Sequence, residues 1–430
     1  MTSSDAGPSL DDRRVIRHLA GRWAELAAQP VMEERRRQWR ALHDLQPERP
    51  MILFETSSID GYVAPDELRC VNPMLRAVEK TMRDNIRHAE EVGDDIVLEP
   101  YLRIGWDIES NGFGVDVVTT EAVVPEDEVP LGYTFNFPIR EPGDTKLLHP
   151  REFSTNRSKT LARRELLDDA FGDLLPIRVG NYDQFLTEPP GESWAGNYFI
   201  GLTWQVYRFI GNDGLLYWLY DSPETIHWLM EYMTQDRERM FLHLEHEGLI
   251  VPNTDNQMAG PRAYGYVSEL PGPDSAPPTQ LSDVWCWADS QEATTISPAM
   301  YREFVLPYIA RLTARFGLVY YGCCEPVHDR LDLIIDAIPN LRSVSVSAWA
   351  NFDAVADMLG RKYVYSRKPN PAFMSGTSPD WDLVERDLRT TYAAARDCNV
   401  ELLFRDLYSI KGDRARLARW VRHARSIFQA

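Results

Sequence analysis

Short β-rich runs recur after residue 195, at 198–203, 249–252, 283–287, 318–321, 343–347, 362–366 and 401–404. Amphipathic helical patterns lie between most of them, at 223–247, 298–316, 328–338, 352–359, 380–397 and 413–428. Strands that alternate with helices pair in parallel, because each helix returns the chain to start the next strand in the same direction. An eighth run, Asp94 to Pro100, is apolar between acids and a closing proline, and reads as a strand too. Eight strands close a (β/α)8 TIM barrel, and that is the fold class predicted. The competing doubly wound sheet is disfavoured, since no Gly-x-Gly-x-x-Gly turn follows an early strand.

Upstream, the pattern is helical over 11–45, with Leu19, Trp23, Leu26, Trp39 and Leu42 as inner positions, and again over 74–92. Residues 1–12 read as disordered. The chain therefore divides into an N-terminal helical extension over 1–92 and a barrel over 93–430, with an elaborated insertion at about 101–175. Ser297-Pro298 has the residue types of a helix N-cap and first turn.

Net charge bounds the partners. At −19 the surface repels phosphate backbones and anionic lipid, which argues against nucleic acid or a membrane. No apolar run approaches the roughly 20 residues of a bilayer span, and the polar, acidic start lacks a signal-peptide pattern, so a cytoplasmic protein is expected. Five cysteines, an odd number in a long chain, suit free thiols better than a disulfide framework.

In a barrel the chemistry gathers at the carboxyl ends of strands. Polar residues at those ends are Asn253, Asp255 and Asn256; Asp289, Gln291 and Glu292; Cys323, Cys324, Glu325 and His328; Ser347, Trp349 and Asn351; Lys368 and Asn370; Arg405 and Asp406. The strongest local signal is Tyr321-Gly-Cys-Cys-Glu-Pro-Val-His328. Thiolates are soft ligands that zinc favours. Adjacent cysteines diverge along an extended backbone, so one faces the mouth and the other packs. Cys324, Glu325 and His328 reach one centre if the chain turns helical there, with Cys286 or Glu292 adding a ligand. Plainer readings stand beside these: Cys286 as core, Asp94-Asp95 as strand caps, Arg405-Asp406 as a structural ion pair.

The C-terminal two-fifths resembles the uroporphyrinogen decarboxylase-like superfamily. The strings that carry the likeness are Ser290-Gln-Glu, Ile296-Ser-Pro-Ala-Met-Tyr-Arg-Glu-Phe-Val-Leu-Pro307, Tyr321-Gly-Cys-Cys-Glu-Pro-Val-His328, Lys368-Pro-Asn-Pro-Ala372 and Arg405-Asp-Leu-Tyr-Ser409. Such a resemblance implies a (β/α)8 barrel. The arginine-rich segment that grips a tetrapyrrole in the decarboxylases is missing, so the methyltransferase branch is the nearer expectation. That branch holds zinc in a His-x-Cys motif and a later Cys, and zinc lowers the pKa of a thiol that attacks a methyl group. Laid on that pattern, Cys323 falls at the motif cysteine and Tyr321 at the histidine, while the later cysteine falls near Arg405-Asp406.

The resemblance thus implies a methyl-group transferase. Its metal ligands would come from Cys323, Cys324, His328 and Glu292, and its catalytic groups from Cys324, Glu325, Asp406 and Lys368. Asp255, Asn256, Tyr264, Gln291, Trp349 and Arg405 would contact substrate. Zinc and a corrinoid or folate methyl carrier are the cofactors considered. The partners considered are a small-molecule substrate, a corrinoid protein and a second copy of the chain in a homodimer. The alternative is a lyase or decarboxylase acting on a small carboxylate, with Lys368 and Arg405 holding the acid while Asp406 or Glu325 moves a proton.

Overall fold

The computed structural model describes residues 7–121, 123, 132–180, 184–185, 198–272 and 275–428. Six strands form the principal sheet: β1 (Met51–Phe54), β2 (Trp285–Ala288), β3 (Leu318–Tyr321), β4 (Leu341–Val346), β5 (Val364–Arg367) and β6 (Asn399–Phe404). Their order is β1-β6-β5-β4-β3-β2, and all neighbours run parallel. Their sequences explain their place. Trp-Cys-Trp-Ala, Leu-Val-Tyr-Tyr and Val-Tyr-Ser-Arg are buried at every position, as strands covered on both faces must be.

Backbone hydrogen bonds reach past each edge of the sheet, but the run Asp94 to Pro100, expected as a strand, is not one. The Ile200 N–H donates to Trp287 O at 2.9 Å, and the Asp95 N–H donates to Ile52 O at 2.8 Å. A separate parallel pair joins Leu102–Gly105 to Ile177–Gly180. Among the described residues the fold is therefore mixed α/β around a six-stranded parallel sheet, with no hydrogen-bonded closure into a ring.

Several expectations need correcting. β1 lies inside the stretch assigned to a helical extension over 1–92, and pairs with β6 from Met51↔Glu401 to Phe54↔Phe404. Its four residues are too short a run to stand out beside the helical patterns on either side. The run at 249–252 is not a strand: the Asn253 side-chain amide takes the neighbour's place, accepting from Trp285 N at 2.9 Å and donating to Trp285 O at 3.1 Å. Only Phe199 of 198–203 forms a bridge, to Trp287, before the helix Leu202–Asp221 begins. That helix has apolar residues on several faces and breaks at Gly211 (φ 71°), so no single stripe marks it in the sequence.

Other readings match. The helices Leu10–Ala27 and Pro30–His43 bury Leu19, Trp23, Leu26, Trp39 and Leu42. The two indoles do more than fill space: Trp23 Nε1 donates to Glu99 O and Trp39 Nε1 to Asp95 O, each at 2.8 Å. Ser297 caps the helix Pro298–Phe304, its hydroxyl accepting from Met300 N. The expected disorder of residues 1–12 is corrected in part: Leu10 to Asp12 already belong to the first helix, which Ser9 and Asp12 cap reciprocally; residues 1–6 lie outside the described residues. Residues 101–175 hold two antiparallel strand pairs and the helix Arg157–Phe171. Among the described residues no helix is long and apolar enough to cross a membrane.

Candidate active site at the strand ends

Because the six strands are parallel, the residues that follow them share one edge of the sheet. Glu55 follows β1, Asp289 and Ser290 follow β2, Cys323 to Glu325 follow β3, Trp349 lies after β4, Lys368 follows β5, and Arg405-Asp406 follow β6. A cleft of about 380 Å³ opens here, lined by Gln291, Glu292, Thr294, Cys324, Glu325, Pro326 and Trp349.

The turn after β3 is set by Gly322. Its φ is +96°, and a Cβ there would sit 3.1 Å from Ser345 Cβ. Only glycine takes such a backbone cheaply. Glu325 then clamps the loops after β2 and β3 together, its carboxylate accepting from Ser290 N at 3.1 Å and Cys323 N at 2.8 Å. Burial pushes its pKa up, and the two backbone donors oppose the rise. Both oxygens are engaged, so Glu325 is placed as a positioning group rather than a free acid. Gly322→Ala should cost about 1–3 kcal/mol and slow modification of Cys324, read by thermal unfolding and thiol labelling. An unaltered melting temperature would show that the turn tolerates a side chain.

The cysteine pair divides as its setting requires. Cys323 is buried and Cys324 is exposed. Their Sγ atoms are 3.6 Å apart, and Arg405 Nη1 donates toward Cys323 Sγ at 3.7 Å. The hydrogen bond from the Cys323 thiol, with Arg405 helping, holds Cys324 below the usual thiol range; the same bond and burial push Cys323 well above it. Cys324 is thus the member that ionises first.

Acids surround the pair. Glu292 accepts from Thr203 Oγ1 at 2.7 Å, and burial raises its pKa. Asp289 is 1% exposed, and its Oδ1 has no hydrogen-bond partner among the described residues. Burial first, then the charges of Glu325 and Glu292, push Asp289 well above the ordinary carboxylate range. On the other side, Arg405 pairs with Asp406 at 3.1 Å and approaches Glu55 at 3.9 Å. Asp406 takes φ +62°, with its N–H donating to Glu55 at 3.3 Å. Lys368 is buried and donates to Tyr320 OH at 2.6 Å and Ser366 Oγ at 2.8 Å; burial brings its pKa down to about 7, against the pull of Glu401.

Of the residues singled out in the sequence, Gln291, Glu292, Cys324, Glu325 and Trp349 meet in the cleft, and Arg405 is tied to it through Cys323. Others are employed elsewhere. Asp255 and Asn256 accept from Arg103, and Tyr101 OH donates to Asp255 at 2.8 Å. Tyr264 packs edge-on against Trp39 and Tyr266, its hydroxyl accepting from Val97 N. Cys286 is fully buried, the core reading. Tyr321, at the ligand histidine of the resembled pattern, places its hydroxyl 2.7 Å from those of both Ser290 and Tyr301. Asp289 was visible as a strand-end residue but carried no motif. Glu55 was hidden because β1 was read as part of a helical region.

The metal expectation meets the same test. Two sulfurs 3.6 Å apart suit adjacent corners of a zinc tetrahedron, where Zn–S is about 2.3 Å. Yet among the described residues no group of three or more His, Cys, Asp or Glu side chains is placed to hold a metal ion. Cys323, Cys324, His328 and Glu292 do not form one among the described residues, and Glu292 is turned to Thr203.

No family model matches this chain. No curated protein matches it. Among solved structures, a methyltransferase from Methanosarcina mazei aligns over 92% of this chain and 98% of its own, with 11% identity and a TM-score of 0.47. A likeness that distant assigns no chemistry.

Proposed function

We propose that the protein is a group-transfer enzyme in which the Cys324 thiolate is the nucleophile, methyl being the group that the sequence resemblance suggests. The observation that carries this reading is the division of the thiol pair. One sulfur is exposed in a cleft and lies 3.6 Å from that of a buried neighbour, which Arg405 Nη1 contacts at 3.7 Å. In the step proposed, Cys324 sulfur attacks the methyl carbon, the S–C bond forms, and the leaving group departs with the electron pair of its old bond. Among the described residues only two zinc donors converge, Cys323 and Cys324. A corrinoid or folate carrier would have to present its methyl to this same sulfur.

The six principal strands are parallel to one another, and the strands at 102–105 and 177–180 are parallel to each other; eight is the strand number of a (β/α)8 barrel, and we read the architecture so. A lyase reading is favoured by one feature, the Lys368 amine held near neutrality beside Arg405. Release of carbon dioxide without a methyl acceptor would select it.

Timed alkylation with iodoacetamide at neutral pH, followed by peptide mass mapping, tests the thiolate. Cys324 should react first, and well ahead of Cys398, whose thiol burial raises to about 11. Arg405→Gln should slow it by about tenfold, one pKa unit of lost stabilisation. Cys324 reacting no faster than Cys398 would sink the reading. So would near-stoichiometric zinc in the purified protein that disappears in Cys323→Ser or Cys324→Ser, since the sulfur would then be a ligand.

A further inference from the structure

The cleft holds more acid than the protein neutralises. Glu292 and Glu325 line it, and Asp289, 1% exposed, lies close enough for its charge to act on both. Glu325 is satisfied by two backbone N–H groups and Glu292 by Thr203 on one oxygen, but Asp289 Oδ1 has no partner among the described residues. A buried carboxylate left in this way costs free energy unless a proton or a cation joins it. Arg405 already pairs with Asp406 at 3.1 Å, and Lys368 is held by Tyr320 and Ser366. Neither spends its hydrogen bonds on Asp289. At the rim stands Trp349, a large aromatic side chain left 66% exposed, on the same cleft as the acids. Carboxyl groups and an indole on one cleft are the elements that recognise a positively charged organic group. An anion would meet the carboxyl groups of Glu292 and Glu325 on the cleft wall, while Arg405 is drawn to Asp406 and Cys323. A volume of about 380 Å³ suits a small molecule.

We propose that this cleft binds an organic cation, an alkylated ammonium group, with Asp289 and Glu292 as counter-charges and Trp349 as the face it rests on. The inference rests on the reading of the cleft as the active site, and names the substrate class of that site. It also fits the chemistry: transfer of a methyl group from a quaternary ammonium to the Cys324 thiolate forms the S–C bond, breaks the C–N bond and returns the electron pair to nitrogen. A cation and an anion become a neutral amine and a neutral thioether.

The test is calorimetric titration of the full-length protein with choline, with its uncharged isostere 3,3-dimethylbutan-1-ol, and with the anion 3,3-dimethylbutanoate. Choline should bind at least about tenfold more tightly than the alcohol, and the carboxylate most weakly. Glu292→Gln and Asp289→Asn should each weaken choline without affecting the alcohol. Trp349→Leu, at an exposed position where folding is not at stake, should weaken choline by about three- to tenfold. Equal binding of choline and alcohol, preference for the carboxylate, or no saturable choline binding in the millimolar range would overturn the proposal. Cys324→Ser separates it from the nucleophile reading: choline binding should persist in that variant. Fast Cys324 alkylation with no choline binding would remove the cation and leave the thiolate.

Discussion

Asp95→Ala should destabilise the protein by about 3–5 kcal/mol, measured by urea unfolding at neutral pH. The Asp95 carboxylate is 1% exposed and accepts from both arms of Arg49 at 2.8 and 2.9 Å, from Arg425 at 2.8 Å and from the Ile52 N–H at 2.8 Å. It therefore ties β1 to the chain before it and to the C-terminal helix Ala415–Phe428. Removal leaves an edge amide and two partly buried guanidiniums without their common acceptor. The arginines are 23% and 28% exposed, and water reaching them places the cost toward the lower bound. Burial pushes the Asp95 pKa up, but the two arginines overcome it and hold it below the ordinary value. The unfolded carboxyl thus binds its proton at higher pH than the folded one. The stabilisation is complete above the unfolded value near 4 and is lost as pH falls through the folded value. The gap between wild type and Asp95→Ala should accordingly narrow on acidification. A loss below 1 kcal/mol at neutral pH would show that the arginines find other partners.

Lys368→Met should change the pH dependence of stability on a similar scale. The folded pKa is brought from 10.5 down to about 7, while the unfolded lysine keeps the ordinary value. Below pH 7 both states are charged and the folded state carries the full cost of a buried ammonium. Between about 7 and 10.5 the unfolded chain binds the proton that the folded chain has released. Wild-type stability should rise there by about 1.4 kcal/mol per pH unit, to a total of about 5 kcal/mol. Lys368→Met lacks the group and its slope, so the difference between the two curves isolates it from the tyrosines and cysteines that titrate in the same range. Glu401 works against a simple gain in the variant. Burial raises its pKa, His43, 3.5 Å away, and Lys368 bring it below the ordinary value, and the substitution removes one of them. Parallel stability curves from pH 7 to 10 would place a charged lysine in the folded state.

What the sequence determined was whatever depends on neighbours in the chain. Buried parallel strands announce themselves as unbroken apolar runs, so β2 and β3 were found where Trp-Cys-Trp-Ala and Leu-Val-Tyr-Tyr stand. Helix starts follow local capping chemistry, as Ser297-Pro298 did. The strand-end rule then named Cys324, Glu292, Gln291 and Trp349 for the cleft. Tertiary structure decided what depends on distant partners. Asp255 and Asn256 follow a run that only reads as a strand in the sequence, and Arg103, on the strand Leu102–Gly105, with Tyr101 just before it, occupies them. Glu325 carries the residue type of an acid catalyst, and two backbone N–H groups turn it into a clamp. Which cysteine faces solvent was set by the bend at Gly322 and the reach of Arg405 from β6, 82 residues along the chain. Asp289 became notable only because its Oδ1 has no hydrogen-bond partner among the described residues, a property of the assembled site that no local pattern encodes.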